Sequence, residues 1–344
     1  MNDKDTLIVL PFDQLDKRPA WAFREYVSVA DAVREIGDAI RTLGIRTLLF
    51  LRHIEEIKWT LPDGTAGQFV RNSEQIANRD GLRKVEVLDQ NDLFEEWRIF
   101  ARDAVVQDAG QSHQVTVEIA FLIKNGAVTR ADNTELIVFF PTEKKTELGF
   151  LIQAPFKATK ARDNIKADDS ANRQLIEAAA QLAAGSLLVL RDLGLLNVAS
   201  YAALPLRAQD FSEGSLFRPV YDKVREALKT QQLLLAERGS FIKADEAKLA
   251  RGEDLVKLFS PERGISPEQL GMLFGKAKLA WLDKNITNDN YPDLYAYIVG
   301  LADGVQVTPE AFAPKLTADF LVKQSIDWLT RFIQYAMQGA QSLR

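Results

Sequence analysis

The stretch from Glu135 to Ile165, ELIVFFPTEKKTELGFLIQAPFKATKARDNI, constrains the fold more tightly than any other part of the chain. Leu136 to Phe140 reads as a buried strand, Pro141-Thr142-Glu143 as a turn, and Leu148 to Ile152 as a second strand. A basic loop follows and ends in Arg162-Asp163-Asn164. Strand patterns lie on its N-terminal side. Thr47 to Leu51 reads as buried, and Ile57 to Leu61 alternates. Pro62-Asp63-Gly64-Thr65 turns the chain into Gly67 to Val70, and residues 83 to 88, 96 to 105 and 115 to 124 give three further strands. On its C-terminal side, Asn172 to Leu193 carries one apolar stripe through Leu175, Ile176, Ala179, Leu182, Ala183, Leu187, Val189 and Leu190. That stripe predicts a long helix, closed by Gly194.

The two ends of the chain differ from this centre. Thr6 to Phe12 reads as a strand with almost nothing before it. Val29 to Leu43 reads as a helix capped by Ser28 and ended by Gly44, its stripe running through Val29, Ala32, Val33, Ile36, Ala39, Ile40 and Leu43. Beyond about Pro205, helical patterns dominate: Phe217 to Leu228, Ala244 to Ala250, Asp254 to Leu258, Pro267 to Phe274, Tyr291 to Leu301 and Pro309 to Met337. Leu233-Leu234-Leu235 and Gly239 to Ile242 predict a short hairpin among them. The pattern therefore predicts an α+β fold: a mixed-sheet layer followed by a mainly helical C-terminal region.

Composition narrows the chemistry. The 344 residues include no cysteine, which excludes disulfides, thiolate zinc sites and cysteine nucleophiles. His53 and His113 are the two histidines, too few for a histidine-rich metal site. The net charge of -5 argues against broad nucleic-acid binding, which draws on phosphate neutralisation. There is no secretory signal pattern and no apolar run of the roughly 18–20 residues needed to span a membrane. A cytoplasmic location is the expectation.

Catalytic motifs are sparse. There is no GxxxxGK[ST] or GxGxxG phosphate cradle, no GxSxG elbow and no HExxH pair. Asp63-Gly64-Thr65-Ala66-Gly67 lies between strand patterns and reads as a hairpin turn. His53, beside Glu55 and Glu56, reads as a structural histidine at the end of a strand. Asp168-Asp169 precedes the long helix and reads as its N-terminal cap. The loop from Lys157 to Asn164 differs. Lys157, Lys160 and Arg162 fall within six positions, and Thr159 and Asn164 add neutral hydrogen-bonding groups to the loop. Such cations suit a phosphate or a partner carboxylate. An exposed basic loop with no role remains the alternative.

The Glu135–Ile165 segment resembles the part that follows the nucleotide-binding domain in sacsin-like and heat-shock-chaperone-like ATPases of the GHKL group. In those proteins a strand leads through a Pro-Thr-Glu-like turn to a Thr-Gly-Leu-like strand and an Arg-Asp-Asn-like end. Here Glu147 stands at the glycine of that second element. The segments Thr47–Ile57, Arg191–Leu196, Lys248–Gly252 and Gln324–Leu329 look similar to other portions of the same proteins, so the resemblance covers most of the chain.

The resemblance implies a division into three parts. Residues 1–45 would be the closing strand and helix of a nucleotide-binding domain, 46–204 an α+β transducer-like middle domain, and 205–344 a mainly helical C-terminal domain. The Glu/Asn helix, Asp-x-Gly-x-Gly turn and Gly-rich lid of the GHKL nucleotide pocket are missing. The chain alone is therefore expected to be no enzyme and to bind no cofactor or metal. ATP and Mg²⁺ enter only when a nucleotide-binding domain is supplied. By analogy Arg162 is the first candidate for a cation reaching the γ-phosphate, and Lys157 the second. Expected partners are that nucleotide domain, a client protein and a second copy of the chain, with no membrane contact. The alternatives are a stand-alone interaction scaffold and a component of a DNA-linked or anti-phage defence system.

Overall fold

The computed structural model describes residues 28–41, 43–91, 93–161, 163–250, 258, 267–276 and 278–341. The strand expected at Thr6–Phe12 and the helix expected at Asp254–Leu258 lie outside them, Leu258 excepted. The fold is α+β, with a mixed sheet and a helical C-terminal region. The chain divides into two compact units, residues 1–73 with 85–95, and residues 74–84 with 96–344.

In the first unit, helix α1 (Val29–Arg41) starts where expected. The Ser28 hydroxyl accepts the Asp31 amide at 3.1 Å, so one of the orphan donors of the first turn is satisfied. The strand expected at Thr47–Leu51 is instead a 3₁₀ turn, Ile45–Leu48, continued by Leu49 and Phe50. Thr47, Leu49 and Leu51 donate to carbonyls three residues back. Leu48, Leu49 and Phe50 are buried all the same. A short apolar run records burial and leaves the backbone form open.

Strand β1 (Glu56–Thr60) pairs antiparallel with β2 (Ala66–Gln75). The turn between them uses Gly64 at φ +85, as its sequence predicts. Trp59 faces Gly67, where a Cβ would stand 2.3 Å from the indole. Strand β3 (Leu82–Asp89) is followed by a turn in which the Asp89 carboxylate accepts the Asn91 and Leu93 amides. Arg46 grips Glu95 with two bonds of 2.9 and 2.8 Å, the planar fork expected of an arginine–carboxylate pair.

The second unit is organised by the pair β4 (Phe94–Asp108) and β5 (Gln111–Lys124), joined at Ala109-Gly110 with φ +46 and +81. Two left-handed residues suit a two-residue hairpin, because their twist matches that of the strands. Strand β6 (Ala127–Thr129) also pairs with β5. Then come β7 (Glu135–Val138), β8 (Phe140–Lys145) and β9 (Leu151–Gln153). Within the second unit the hydrogen-bonded order is β4-β5-β9-β7-β8. The β7–β9 neighbours are parallel, whereas β4–β5, β5–β9 and β7–β8 are antiparallel, so the sheet is mixed.

Pro141-Thr142-Glu143, expected as a turn, is part of strand β8. The chain reverses one step earlier, at Phe139, whose φ is +63. Strand β8 ends the hydrogen-bonded order, and an edge strand accommodates a proline.

Helix α2 (Ser170–Asp192) packs across β5. Val117, Ile119, Phe121 and Ile123 alternate along one face of β5 and share a core with Leu175, Ile176, Ala179, Ala183 and Leu187 of the helix. Each of the Val, Ile, Leu and Phe side chains contributes roughly 1.5–3 kcal/mol when fully buried. Gly194 closes the helix at φ +71, as expected.

Helix α3 (Arg218–Thr230) packs on α2, and β10 (Leu234–Leu235) pairs with β11 (Phe241–Ile242) as the predicted hairpin. The helix expected over Ala244–Ala250 is a 3₁₀ turn, Ala244–Glu246, followed by strand β12 (Ala247–Ala250). This strand lies between β13 (Ala280–Trp281) and β14 (Gln306–Val307), parallel to both. Ala247 and Leu249 have good helix propensity, and tertiary pairing overrides it.

Helices α4 (Pro267–Phe274) and α5 (Pro292–Val299) lie within the expected spans. The single helix expected over Pro309–Met337 is broken into α6 (Pro309–Phe312), a 3₁₀ turn at Ala313–Lys315, α7 (Ala318–Leu321) and α8 (Ile326–Gln341). Pro314 interrupts it and Thr317 caps the next piece. A second core joins Leu258, Leu273, Trp281, Val307, Phe312, Phe320 and Trp328. The Trp328 indole donates to the Leu258 carbonyl at 2.9 Å, so its one polar atom is satisfied.

Candidate functional site

The basic loop joins the end of β9 to the start of α2, the position its strand–loop–helix pattern predicts. Its base is closed by an antiparallel bridge between Ala158 and Ile165 and by a bond from the Thr159 amide to the Asn164 carbonyl at 2.9 Å. Thr159 also donates its hydroxyl to the Asp163 carboxylate and accepts the Asn164 amide. Lys160, Ala161 and Asp163 are exposed at the tip. Arg162, the first candidate residue, lies outside the described residues.

Asn172, in the first turn of α2, is fully buried and clamps the base of the loop. Its side-chain oxygen accepts the Lys157 amide at 2.8 Å. Its amide group donates to the carbonyls of Lys157 and Lys166 at 3.2 and 3.0 Å. One side chain thus satisfies three backbone groups that neither helix nor sheet reaches. A second clamp lies alongside: Gln174 accepts the Gln107 amide at 3.0 Å and donates to the Gln107 carbonyl at 3.2 Å. The loop base, the start of α2 and the tip of the β4–β5 hairpin are therefore one hydrogen-bonded assembly.

Lys157, the second candidate, belongs to this assembly. Its ammonium lies 2.5 Å from the Asp108 carboxylate at the end of β4 and 3.2 Å from Asp169. Asp108 and then Asp169, through these hydrogen bonds, hold the Lys157 ammonium above its ordinary range. Lys157 is charged at any physiological pH and is engaged locally by two carboxylates.

Asp169 caps α2, accepting the amides of Ala171 and Asn172 at 2.9 and 3.1 Å, which is the capping role expected of Asp168-Asp169. Partial burial pushes its carboxyl up, but the Asn172 amide, the Lys157 ammonium and the Ala171 amide outweigh this and hold it below the usual carboxylate range. A depressed folded-state value means that the cap stabilises fully above the unfolded value and fades as pH falls through the folded one. Asp169→Ala is expected to lower stability by about 1 kcal/mol, as loss of an N-cap typically does. Urea unfolding should show the deficit shrinking in acid, where the wild type loses the charged cap as well.

Both histidines and the Asp63–Gly67 glycines lie elsewhere in the sequence. His53 sits in an exposed bend after a 3₁₀ turn, not at the end of the strand its sequence context predicts. Of the Asp63–Gly67 glycines, Gly64 sits in the hairpin turn and Gly67 lies in β2 opposite Trp59. Among the described residues no group of three His, Asp or Glu side chains is placed to hold a metal ion. No described helix is long and apolar enough to cross a membrane. Asn172, Asp108 and Gln174, which set the loop, carry no local sequence signal. Their partners lie 15, 49 and 67 positions away.

Glu147 has φ +59, in the left-handed region that favours glycine. Comparison with known proteins adds no neighbour: no family model, curated protein or solved structure matches the chain.

Proposed function

We propose that this chain is the transducer and C-terminal part of a GHKL-type, sacsin-like ATPase. It would sense nucleotide state through the loop after β9 and relay it to partner or client binding. The observation that carries this reading is the build of the loop. Its base is locked to β4, β9 and α2 by Asn172, Lys157 and Asp169, while the tip at Lys160 and Asp163 is exposed. A cation on such a tip is held by rigid elements, which is what stabilising charge on a transferring phosphoryl group requires. Since Lys157 is engaged by two carboxylates, the contact with the γ-phosphate is assigned to Arg162. Glu147 lends support, because it takes a glycine-like conformation where the resemblance expects a glycine.

ATP and Mg²⁺ would be held by the separate nucleotide-binding domain. The test is ATP turnover by a GHKL nucleotide-binding domain with and without this chain. Turnover should rise on addition of the chain. An unchanged rate at saturating concentrations rejects the transducer reading.

The scaffold reading keeps one observation of its own. Val322, Ile326, Ile333 and Met337 are apolar and exposed, from just before α8 through its length. Partner binding that proceeds identically with and without nucleotide domain and ATP would favour that reading.

A further inference from the structure

One cavity in the second unit brings charged groups of both signs against an apolar wall. Its volume is about 290 Å³, at the small end for ligand sites. Four segments enclose it: Arg130 just after β6, Glu147 just after β8, the stretch that follows the 3₁₀ turn Val198–Ala203, and the start of α5. All four belong to the second unit. Leu204, Phe211 and Leu294 line the cavity and are themselves buried in the core. The Phe211 ring stacks on Tyr221 with centroids 5.7 Å apart, which fixes this wall.

The charged side chains of the lining are held in different ways. Arg207 and Asp210 neutralise one another at 2.8 Å. Arg130 instead donates to the carbonyls of Ala202 and Glu147 at 3.1 and 3.4 Å. Two carbonyls orient a guanidinium without cancelling its charge, and three of its N–H donors are left over. No carboxylate among the described residues pairs with it, and every residue of 125–135, 143–151, 200–215 and 285–296 is described. Glu147 and Asp293 bring two exposed carboxylates to the same cavity. Glu147 does so at φ +59, a strained backbone for a residue with a Cβ, and strain of this kind clusters at ligand sites.

We infer that this cavity binds a free α-amino acid with an apolar side chain. The ligand carboxylate meets Arg130, whose planar fork matches that group. The ligand ammonium meets Glu147, with Asp293 adding negative charge. The ligand side chain lies against Leu204, Phe211 and Leu294. Arg130 touches the backbone of Glu147, so the protein's cation and anion stand as near neighbours, as the two charges of an α-amino acid do. A cavity this small suits a single metabolite of that size better than a peptide. The inference does not depend on the transducer reading, because the loop after β9 takes no part in it.

The experiment is calorimetric titration of the full chain with L-leucine and with L-phenylalanine at neutral pH. N-acetyl-L-leucine, which lacks the ammonium, and L-leucinamide, which lacks the carboxylate, run in parallel. Saturable binding of at least one amino acid is expected, about tenfold or more tighter than that of the matching derivatives, each of which forgoes one charge-assisted contact. Arg130→Gln should weaken amino-acid binding by a similar factor and leave L-leucinamide binding unchanged. Glu147→Gly should also weaken it, while its unfolding midpoint stays at or above that of the wild type, since glycine adopts φ +59 without strain. That variant decides the outcome even if Arg130→Gln fails to fold. Failure of both amino acids to bind saturably overturns the inference. So does equal affinity for L-leucine and its two derivatives, or unchanged amino-acid affinity in Glu147→Gly.

Discussion

Asn172→Ala is expected to lower the free energy of unfolding by about 3 kcal/mol, the sum of three hydrogen bonds at roughly 1 kcal/mol each. The side chain is fully buried and serves the Lys157 amide and the carbonyls of Lys157 and Lys166. Truncation strands all three backbone groups in a site that water reaches poorly, so the loss exceeds that of an exposed asparagine. Urea unfolding should show a lower midpoint with an unchanged slope. Amide exchange at Lys157 should accelerate well beyond the global change, because its acceptor is gone. Asn172→Asp keeps the acceptor for the Lys157 amide but loses both donated bonds, and it sets a carboxylate against two carbonyls. It should not rescue stability.

Gly149→Ala is the second large effect, again about 3 kcal/mol or failure to fold, at the upper end of what overpacking costs. A Cβ at Gly149 would stand 2.5 Å from the Cα of Ala203 and 2.7 Å from its carbonyl oxygen. Those atoms are backbone, and the same segment accepts the Gly149 amide at 3.0 Å while the Gly149 carbonyl accepts from Ala131 at 2.9 Å. Relief of the clash would break these bonds. Gly185→Ala provides the contrast. Gly185 lies within α2 with nothing within 4 Å of its would-be Cβ. Alanine there should stabilise by up to about 1 kcal/mol, the difference in helix propensity. Thermal unfolding of the two variants should move in opposite directions.

Much of the core was legible in sequence because its periods are clean. The alternation from Val115 to Ile123 and the stripe from Leu175 to Leu190 each expose one apolar face, and the structure packs those faces together. Capping by Asp169 and termination at Gly194 were legible because the backbone chemistry there is local.

Misreadings arose where local pattern and tertiary context part. Thr47–Leu51 is apolar throughout, which serves a buried 3₁₀ turn as well as a strand. Ala244–Ala250 lost its helix to pairing with strands more than thirty residues away at Ala280 and fifty-odd away at Gln306. At the site, the loop and its cations could be read, but the staple formed by Asp108, Asp169 and Asn172 could not. The staple changes the reading of Lys157 from a free cation to an anchored one.

The central claim is that a cation on the loop after β9 completes an ATPase assembled with a nucleotide-binding domain. The most direct measurement is kcat for ATP hydrolysis by that domain with wild-type chain and with Arg162→Ala. Loss of a group that stabilises transition-state charge should lower kcat about 100-fold, with the chain's unfolding midpoint unchanged. Equal kcat for the two chains would contradict the account.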